Sequence, residues 1–454
     1  MAIASFNPAT EELIKEFNEI TEAELNSKLE IATKAFESWK SCSCIERDNL
    51  LNKLADVLIE RKEELAQAAT LEIGQPIKSV YSEIEKSALL ARYYEGKTSE
   101  FLQDQVIETE AMASYVKYEP LGTILGIAPW NFPYWMAFRF IVPTISAGNT
   151  VILKHASNVP QCALLIEDVM TQAGFPKGVF QTLLISSGRV EAIIRDNRIK
   201  GISFSGSENA GSKVSAIAGS EIKKSVLELG GSDAFIILKD ANLEPTVNAL
   251  VDNRLRNAGQ ACNSPKRVFV DKSIYKEFLD LAKTRLLKVK LGNPLDEDTD
   301  IGPLATHQGL EEVKRQLKES LAKGAVLEHG GKQLEGKGYF FQPTIVTNIK
   351  PGMPLFDEEV FGPVIAVSTF GNIEQAIEMT NNTKYGLGAS IWTQNEKEAQ
   401  KYISLLEVAN VFINQPVRSD PRLPYGGIKR SGFGRELSFY GIREFTNIKT
   451  VVIK

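Results

Sequence analysis

Thr123-Ile124-Leu125-Gly126-Ile127-Ala128-Pro129-Trp130-Asn131-Phe132-Pro133 is the stretch that decides the fold. Residues 123–127 are mostly apolar and stop at a Pro-containing loop, so they read as a buried strand. From there strand and helix signals take turns. Val151-Ile152-Leu153 is a strand, 161–170 a helix, 179–184 a strand. Gly201-Ile202-Ser203-Phe204 is a further strand that runs into the turn Ser205-Gly206-Ser207. This alternation predicts βαβ units and a parallel sheet with helices on both faces.

Working outward, residues 22–105 read as helices, with Leu50, Leu51, Leu54, Val57 and Leu58 at helical spacing and expected in the core. Tyr115-Val116-Lys117-Tyr118 alternates as a strand does. A second α/β run starts at Ala234-Phe235-Ile236-Ile237-Leu238. It takes in Arg267-Val268-Phe269-Val270, Val364-Ile365-Ala366-Val367 and Ser390-Ile391-Trp392, and ends near Phe412. Residues 446–454 read as a terminal strand, an edge that needs a partner.

At 454 residues the chain predicts two or three domains. Its apolar fraction of 43% and charged fraction of 24% are those of an ordinary globular protein, which argues against a disordered or fibrous class. The net charge, 52 − 57 = −5, leaves no electrostatic footprint for nucleic acid. No run reaches the roughly 18 apolar residues of a membrane span, and Met1 to Pro8 lacks the features of a signal peptide. The expectation is a cytoplasmic protein with reduced thiols. Cys42, Cys44, Cys162 and Cys262 form no C-x-x-C pair, and His155, His307 and His329 show no ligand spacing. No metal is expected.

The chemistry concentrates in three segments. Asn257-Ala258-Gly259-Gln260-Ala261-Cys262 ends in a thiol, Glu228-Leu229-Gly230-Gly231 begins with a carboxylate, and Pro129-Trp130-Asn131-Phe132-Pro133 centres on an amide. A thiol nucleophile, a carboxylate base and an amide donor are what acyl-type chemistry at a carbonyl requires. Singly, each has a plainer reading: a lone Cys is usually a small buried hydrophobe, and a Glu before Leu-Gly-Gly can simply precede a turn. Downstream stand Phe361-Gly362-Pro363, Tyr385-Gly386-Leu387 and Gly426-Gly427-x-Lys429-x-Ser431-Gly432-x-Gly434-Arg435-Glu436.

Together and in this order, these segments resemble the aldehyde dehydrogenase superfamily over nearly the whole chain. The resemblance implies an α/β fold with a Rossmann-like cofactor domain (1–110 and 121–230), an α/β catalytic domain (231–430) and a small β oligomerisation element (111–120 and 431–454). That element would be a hairpin near Ala111 to Pro120 plus the C-terminal strand, in a homodimer or tetramer. It also implies that Cys262 attacks an aldehyde to give a thiohemiacetal and then a thioester. Glu228 would activate the hydrolytic water, and Asn131 with the Cys262 backbone N–H would hold the oxyanion. An unperturbed thiol, with a pKa of about 8.5, is only a few per cent thiolate at neutral pH, so the site must lower that value or abstract the proton.

For the nucleotide there is no G-x-G-x-x-G. Gly206 and Ser207 follow a strand and precede a helix, which makes either an anion site at a helix N-terminus or an ordinary βα turn. The resemblance assigns them to the cofactor pyrophosphate, Lys154 to the adenosine ribose and Glu359 to the nicotinamide ribose. Trp130, Leu229 and Phe361 are carried over as further cofactor contacts. One departure is informative. NAD-preferring relatives commonly carry Lys-Pro-x-Glu, whereas this chain has Lys154-His155-Ala156-Ser157. Ser157 is neutral and can donate a hydrogen bond where a carboxylate would repel a 2′-phosphate, and Lys154 adds a favourable charge. His155, in place of the Pro, is a further candidate to contact the phosphate. NADP is expected over NAD, with tolerance of both as the alternative.

Arg139, Arg256 and Ser419 resemble the carboxylate-binding residues of succinate-semialdehyde dehydrogenases, and Trp135, Phe132 and Met136 would pack on a short methylene chain. Arginines beside an apolar tunnel are costly without an anion, and a guanidinium matches a carboxylate. The competing reading pairs either arginine with a protein carboxylate. Succinate semialdehyde is the first expected substrate and glutarate semialdehyde the near competitor, since one methylene discriminates by only about 1–3 kcal/mol. Rival readings are a broad-range enzyme, a thioester-releasing enzyme that uses coenzyme A or phosphate, and a non-catalytic binding protein on the same scaffold. Asn263-Ser264 after the nucleophile leaves no neighbouring Cys for a local disulfide.

Overall fold

The computed structural model describes residues 3–454. The strand Thr123–Ala128 pairs in parallel with Thr150–His155 on one side and Ile199–Ser205 on the other. Phe180–Thr182 extends the sheet beyond Thr150–His155, and Lys224–Glu228 extends it beyond Ile199–Ser205, all in parallel. Chain order therefore runs outward from Thr123–Ala128 in one direction, then returns and runs outward in the other. The switch point lies between Thr123–Ala128 and Ile199–Ser205, where ligands bind beyond the carboxyl ends of strands in such sheets.

A second sheet of seven strands runs Val326–His329, Thr344–Thr347, Val364–Phe370, Pro265–Asp271, Asp233–Ile237, Gly388–Trp392, Asn410–Ile413. Only the pair at its Val326–His329 edge is antiparallel. Asp233–Ile237 is buried along its whole length, and Pro265–Asp271 and Val364–Phe370 at all but one residue each, as an apolar run of Phe, Ile and Val predicts for a strand covered on both faces. The helical N-terminal region forms as expected. Thr21 with Glu24 and Ser43 with Glu46 each close a reciprocal capping box at the start of the helices Glu22–Trp39 and Cys44–Glu60. Ahead of them, Ile3–Asn7 and Glu12–Phe17 form an antiparallel hairpin that no sequence signal had indicated.

The small third sheet differs from its expected bounds. Ala113–Pro120 pairs with Thr446–Ile453 over eight residue pairs, and the short strand of the hairpin is Gln105–Val106, upstream of 111. Residues from 431 do not all belong here. Gly432–Phe433 pairs with Glu228 and Leu227 at the edge of the first sheet, because Gly432 adopts a positive φ that brings it against Leu227. The C-terminal segment thus delivers Glu436 to the interior before it reaches its own sheet. Among the described residues no helix is long and apolar enough to cross a membrane.

Candidate active site

Three neighbouring parallel strands end in residues singled out above. Thr123–Ala128 leads into Trp130 and Asn131, Ile199–Ser205 into Gly206 and Ser207, and Lys224–Glu228 closes on Glu228 itself. Ser207 is the N-cap of the helix Glu208–Ser220. The backbone N–H groups of Glu208 and Asn209 lie in its first turn and so have no carbonyl one turn back to bond. The Gly206 N–H donates to the Glu228 carbonyl at 3.0 Å, which ties the turn to the neighbouring strand end. At Gly230 a Cβ would stand 2.3 Å from a Glu359 carboxylate oxygen, so a side chain there would push that carboxylate aside.

The nucleophile sits on an unusual turn. Asn257 and Ala258 take left-handed backbone (φ 49° and 53°), followed by Gly259 at φ 77°. A side chain at Gly259 would meet the Gly362 carbonyl at 2.1 Å. The fully buried Arg254 stitches the two segments together. Its guanidinium donates to the carbonyls of Gly259, Val360 and Val364 and to Ser264 Oγ. Lys266 Nζ donates to the carbonyls of Ala261 (2.8 Å) and Cys262 (2.5 Å), and pairs with Glu359 at 3.2 Å. Asn131 Nδ2 donates to the Gln260 carbonyl (2.9 Å), while the Asn131 carbonyl accepts from Asn257 Nδ2 (2.6 Å). The side-chain amide beside Cys262 is held through one N–H and its backbone through the carbonyl, with the second amide N–H to spare.

Two cavities meet at Cys262, and Met136 and Arg139 also line both. The larger, about 250 Å³, is bounded by Trp130, Asn131, Gly206 and Ser207 on one side. Glu228, Leu229, Glu359 and Phe361 close the other side, with the Trp130 and Phe361 rings edge to face at 6.0 Å. The smaller, about 130 Å³, gathers Phe132, Trp135, Arg256 and Ser419. Lys154 and Ser157 line neither. They lie at and just beyond the carboxyl end of Thr150–His155, on the same side of the sheet as the larger cavity's strand ends.

His155 departs from expectation. It is buried, one ring nitrogen (Nε2) faces the Pro133 carbonyl at 2.9 Å, and the other (Nδ1) accepts the Ala156 N–H at 2.9 Å. Burial pulls its pKa down to about 4, so it is neutral and has no nitrogen left for a phosphate.

Arg139 also departs. It forms ion pairs with Glu436 and, at 3.5 Å, with Glu228. Burial opposes its charge, but the two carboxylates raise its pKa, so it is a cation already met by protein partners. This pairing is what the competing reading expects of Arg139, which also lines the smaller cavity. Arg256 is the opposite case. Its Nη2 donates to Asn263 Oδ1 (2.9 Å), its Nε has no partner, its guanidinium lies 5.1 Å from the Phe132 ring centre, and no carboxylate pairs with it among the described residues.

Burial raises the Glu228 pKa above the usual carboxylate range and Glu436 adds to this, while Arg139 and Arg435 oppose it. Its Oε1 has no hydrogen-bond partner. Burial likewise pushes the Cys262 thiol up, against the pull of Arg139 and Lys266. Of the two routes anticipated above, this direction favours abstraction of the thiol proton by a base.

Several residues here escaped the sequence reading. Tyr425 lines the smaller cavity with a buried hydroxyl that lacks a partner. Glu436 was visible only as the last letter of a motif. Glu83 lines the same cavity, and its Oε1 accepts from the Tyr134 and Trp135 N–H groups at the start of the helix Pro133–Ser146. Its pKa is pushed up to about 7 by burial. Nothing local distinguishes Glu83, or Lys86 one turn on, from the solvent-facing charges of any amphipathic helix.

A left-handed turn that presents a thiol beside a fixed amide and a buried carboxylate, over a switch-point crevice, defines an oxidoreductase of the thiol-dependent class. The family model of the aldehyde dehydrogenase family matches residues 1–451, and the chain belongs to that family. It is 46% identical over the full length of both chains to the NADP succinate-semialdehyde dehydrogenase 1 of Mycobacterium tuberculosis. It is 45% identical, again over both full lengths, to a probable enzyme of the same name from Synechocystis. Among solved structures it superposes with a TM-score of 0.97 on the succinic semialdehyde dehydrogenase of Streptococcus pyogenes in complex with NADP+, at 36% identity over 99% of both chains.

Proposed function

We propose that this chain oxidises succinate semialdehyde to succinate with NADP. The observation that carries the substrate is Arg256, a half-buried cation whose buried Nε has no partner and which no carboxylate pairs among the described residues, in the cavity that opens on Cys262. The dinucleotide fits the larger cavity: a glycine-lined approach at Gly230, free N–H groups at a helix start for a pyrophosphate, and Glu359 and Phe361 across from them. When bound, the nicotinamide supplies the acceptor for the aldehyde hydride.

The side chains then divide the work. Glu228, its basicity raised by burial, takes a proton from the Cys262 thiol. The sulfur adds to the aldehyde carbon, and the resulting oxyanion lies between Asn131 Nδ2 and the Cys262 backbone N–H, donors of the kind whose loss costs on the order of 10²–10³ in rate. Once the hydride has left, the carbon is a thioester on Cys262. Glu228, its first proton released to solvent, accepts a proton from the attacking water and passes it to the departing sulfur, so that the acid leaves as the thiol reforms. Arg139 keeps Glu228 and Glu436 in place and meets the charge Glu228 acquires when it ionises.

Ser157 and Lys154 support a 2′-phosphate: one is neutral and small, the other buried and cationic, its pKa lowered by burial. We assign the two large sheets to catalysis and cofactor binding. The strand Thr446–Ile453, open along one side and carrying exposed Ile448, Val452 and Ile453, pairs with a second copy in a dimer or tetramer. The cytoplasm suits the free thiols of Cys42, Cys44, Cys162 and Cys262.

The test is a grid of NADP and NAD against succinate semialdehyde, glutarate semialdehyde and butanal. Turnover concentrated on NADP with succinate semialdehyde is expected. Equal kcat/KM for butanal would leave an aldehyde dehydrogenase of broad range.

A further inference from the structure

We propose that Lys86 is a specificity-determining residue, a second cation that binds the substrate carboxylate alongside Arg256 through a donor set organised by Ser419. This deepens the reading of the chain as a carboxylated-aldehyde dehydrogenase and rests on it.

Lys86 belongs to the helix Ile77–Tyr94, whose face at Ser79, Ser82, Glu83 and Lys86 forms one wall of the smaller cavity. Its ammonium lies 4.0 Å from the Trp135 ring centre and donates to Ser419 Oγ at 2.9 Å. An ammonium has three N–H donors, and no carboxylate pairs with this one among the described residues. Of the nearby acids, Asp420 is paired with Arg422 at 2.7 Å, and Glu83 gives its Oε1 to the two N–H groups at the start of Pro133–Ser146 while its Oε2 has no hydrogen-bond partner.

Ser419 makes the arrangement directional. Its Oγ accepts from Lys86 and also from Trp135 Nε1 at 3.2 Å. Both lone pairs are then used, so its own O–H is left to donate, and Ser419 lines the cavity. Lys86, Ser419, Arg256 Nε and the unpartnered Tyr425 hydroxyl thus bring donors together on one small volume, where Glu83 Oε2 is the one unpartnered carboxylate oxygen among the described lining residues. Burial, together with Arg256 and Arg139, pulls the Lys86 pKa down to about 7 against the opposing charge of Asp420. A carboxylate supplies both the negative charge and the acceptor oxygens. It also explains why a lysine stands where an apolar side chain would pack on Trp135 without this penalty.

The experiment measures kcat and KM on the full-length enzyme for succinate semialdehyde and for butanal, with inhibition by succinate, in the native chain, Lys86→Met and Lys86→Arg. Expected for Lys86→Met is a rise of about 10- to 100-fold in KM for succinate semialdehyde and in the succinate inhibition constant, with butanal kinetics within about twofold. Lys86→Arg should recover most of the loss. Butanal turnover also reports that the variant is folded. If Lys86→Met shifts both aldehydes alike, or leaves the succinate semialdehyde KM unchanged, Lys86 is not a carboxylate ligand. If it fails to fold, the charge-conserving variant decides: normal kinetics of Lys86→Arg on both substrates support the role, and equal losses on both overturn it. A native chain that does not prefer succinate semialdehyde over butanal instead overturns the substrate reading itself.

Discussion

The two cavities that meet at Cys262 are made of different material. The larger stands mostly on residues at strand ends and a helix start of one sheet, with Gly206 and Gly230 among them and Glu359 and Phe361 across from them. The smaller is built from side chains that reach in from four distant parts of the chain, the helices Ile77–Tyr94 and Pro133–Ser146, the turn at 256–263 and the segment at 419–425. The first is set by topology, and any chain with this sheet has it. The second is set by which residues tertiary packing happens to place there, and it is where one member of the family can differ from another in substrate.

The most severe way to test this division is to remove the atom common to both sides. Cys262→Ala is expected to lower turnover by about 10⁴-fold or more with every aldehyde, while NADP affinity, read by fluorescence quenching, stays within a few-fold. A large loss of cofactor affinity would mean that the cavities are not separable. Next comes Glu228→Gln, expected to slow steady-state turnover by about 10²–10⁴-fold. Glu228 has a raised pKa, so its basic form is gained as pH rises through that value, and native turnover should climb with pH over the same range. In the Gln variant that limb should vanish; an unchanged pH profile would assign the base elsewhere.

Arginine offers the sharpest contrast, because the two predicted substrate arginines turned out to be unlike. Arg256→Ala should raise KM for succinate semialdehyde by about 10- to 100-fold and leave butanal nearly unaffected. Arg139→Met should act the other way. It removes the partner of Glu228 and Glu436, so kcat should fall by about tenfold or more for both aldehydes and their ratio should hold. If Arg139→Met instead changes the ratio, the ion pairs with Glu436 and Glu228 open on substrate binding and Arg139 is a carboxylate ligand after all.

The same contrast accounts for what could be read in the sequence. The βαβ alternation, the turn at Gly206-Ser207 and the order of Asn131, Glu228 and Cys262 are local patterns, and the structure brings those residues to adjoining strand ends and one turn. Arg139 and Arg256 were equally visible as letters. What separates them is Glu436, 297 positions from Arg139 and delivered by the crossing at Gly432, and no local signal carries a contact of that range. His155 fails for a related reason. Its place in Lys154-His155-Ala156-Ser157 suggested a phosphate contact, but the Pro133 carbonyl, from a different loop, had already taken its ring. Lys86 and Tyr425 lacked even a motif.

The smallest effect expected is at the far end of the larger cavity's sheet, where side chains rather than backbone decide. Ser157→Glu places a carboxylate beside the position of a 2′-phosphate, just past the end of Thr150–His155. Lys154 remains to offset part of the repulsion, and the site is half-open to solvent, which screens the rest. The NADP/NAD ratio of kcat/KM should therefore fall by about tenfold, with little change in the KM for aldehyde. A fall in that ratio accompanied by an equal loss on succinate semialdehyde would mean that strain at Ser157 is transmitted to Cys262. An unchanged ratio would place the discrimination on Lys154 alone, and Lys154→Ala would then be the variant that loses NADP.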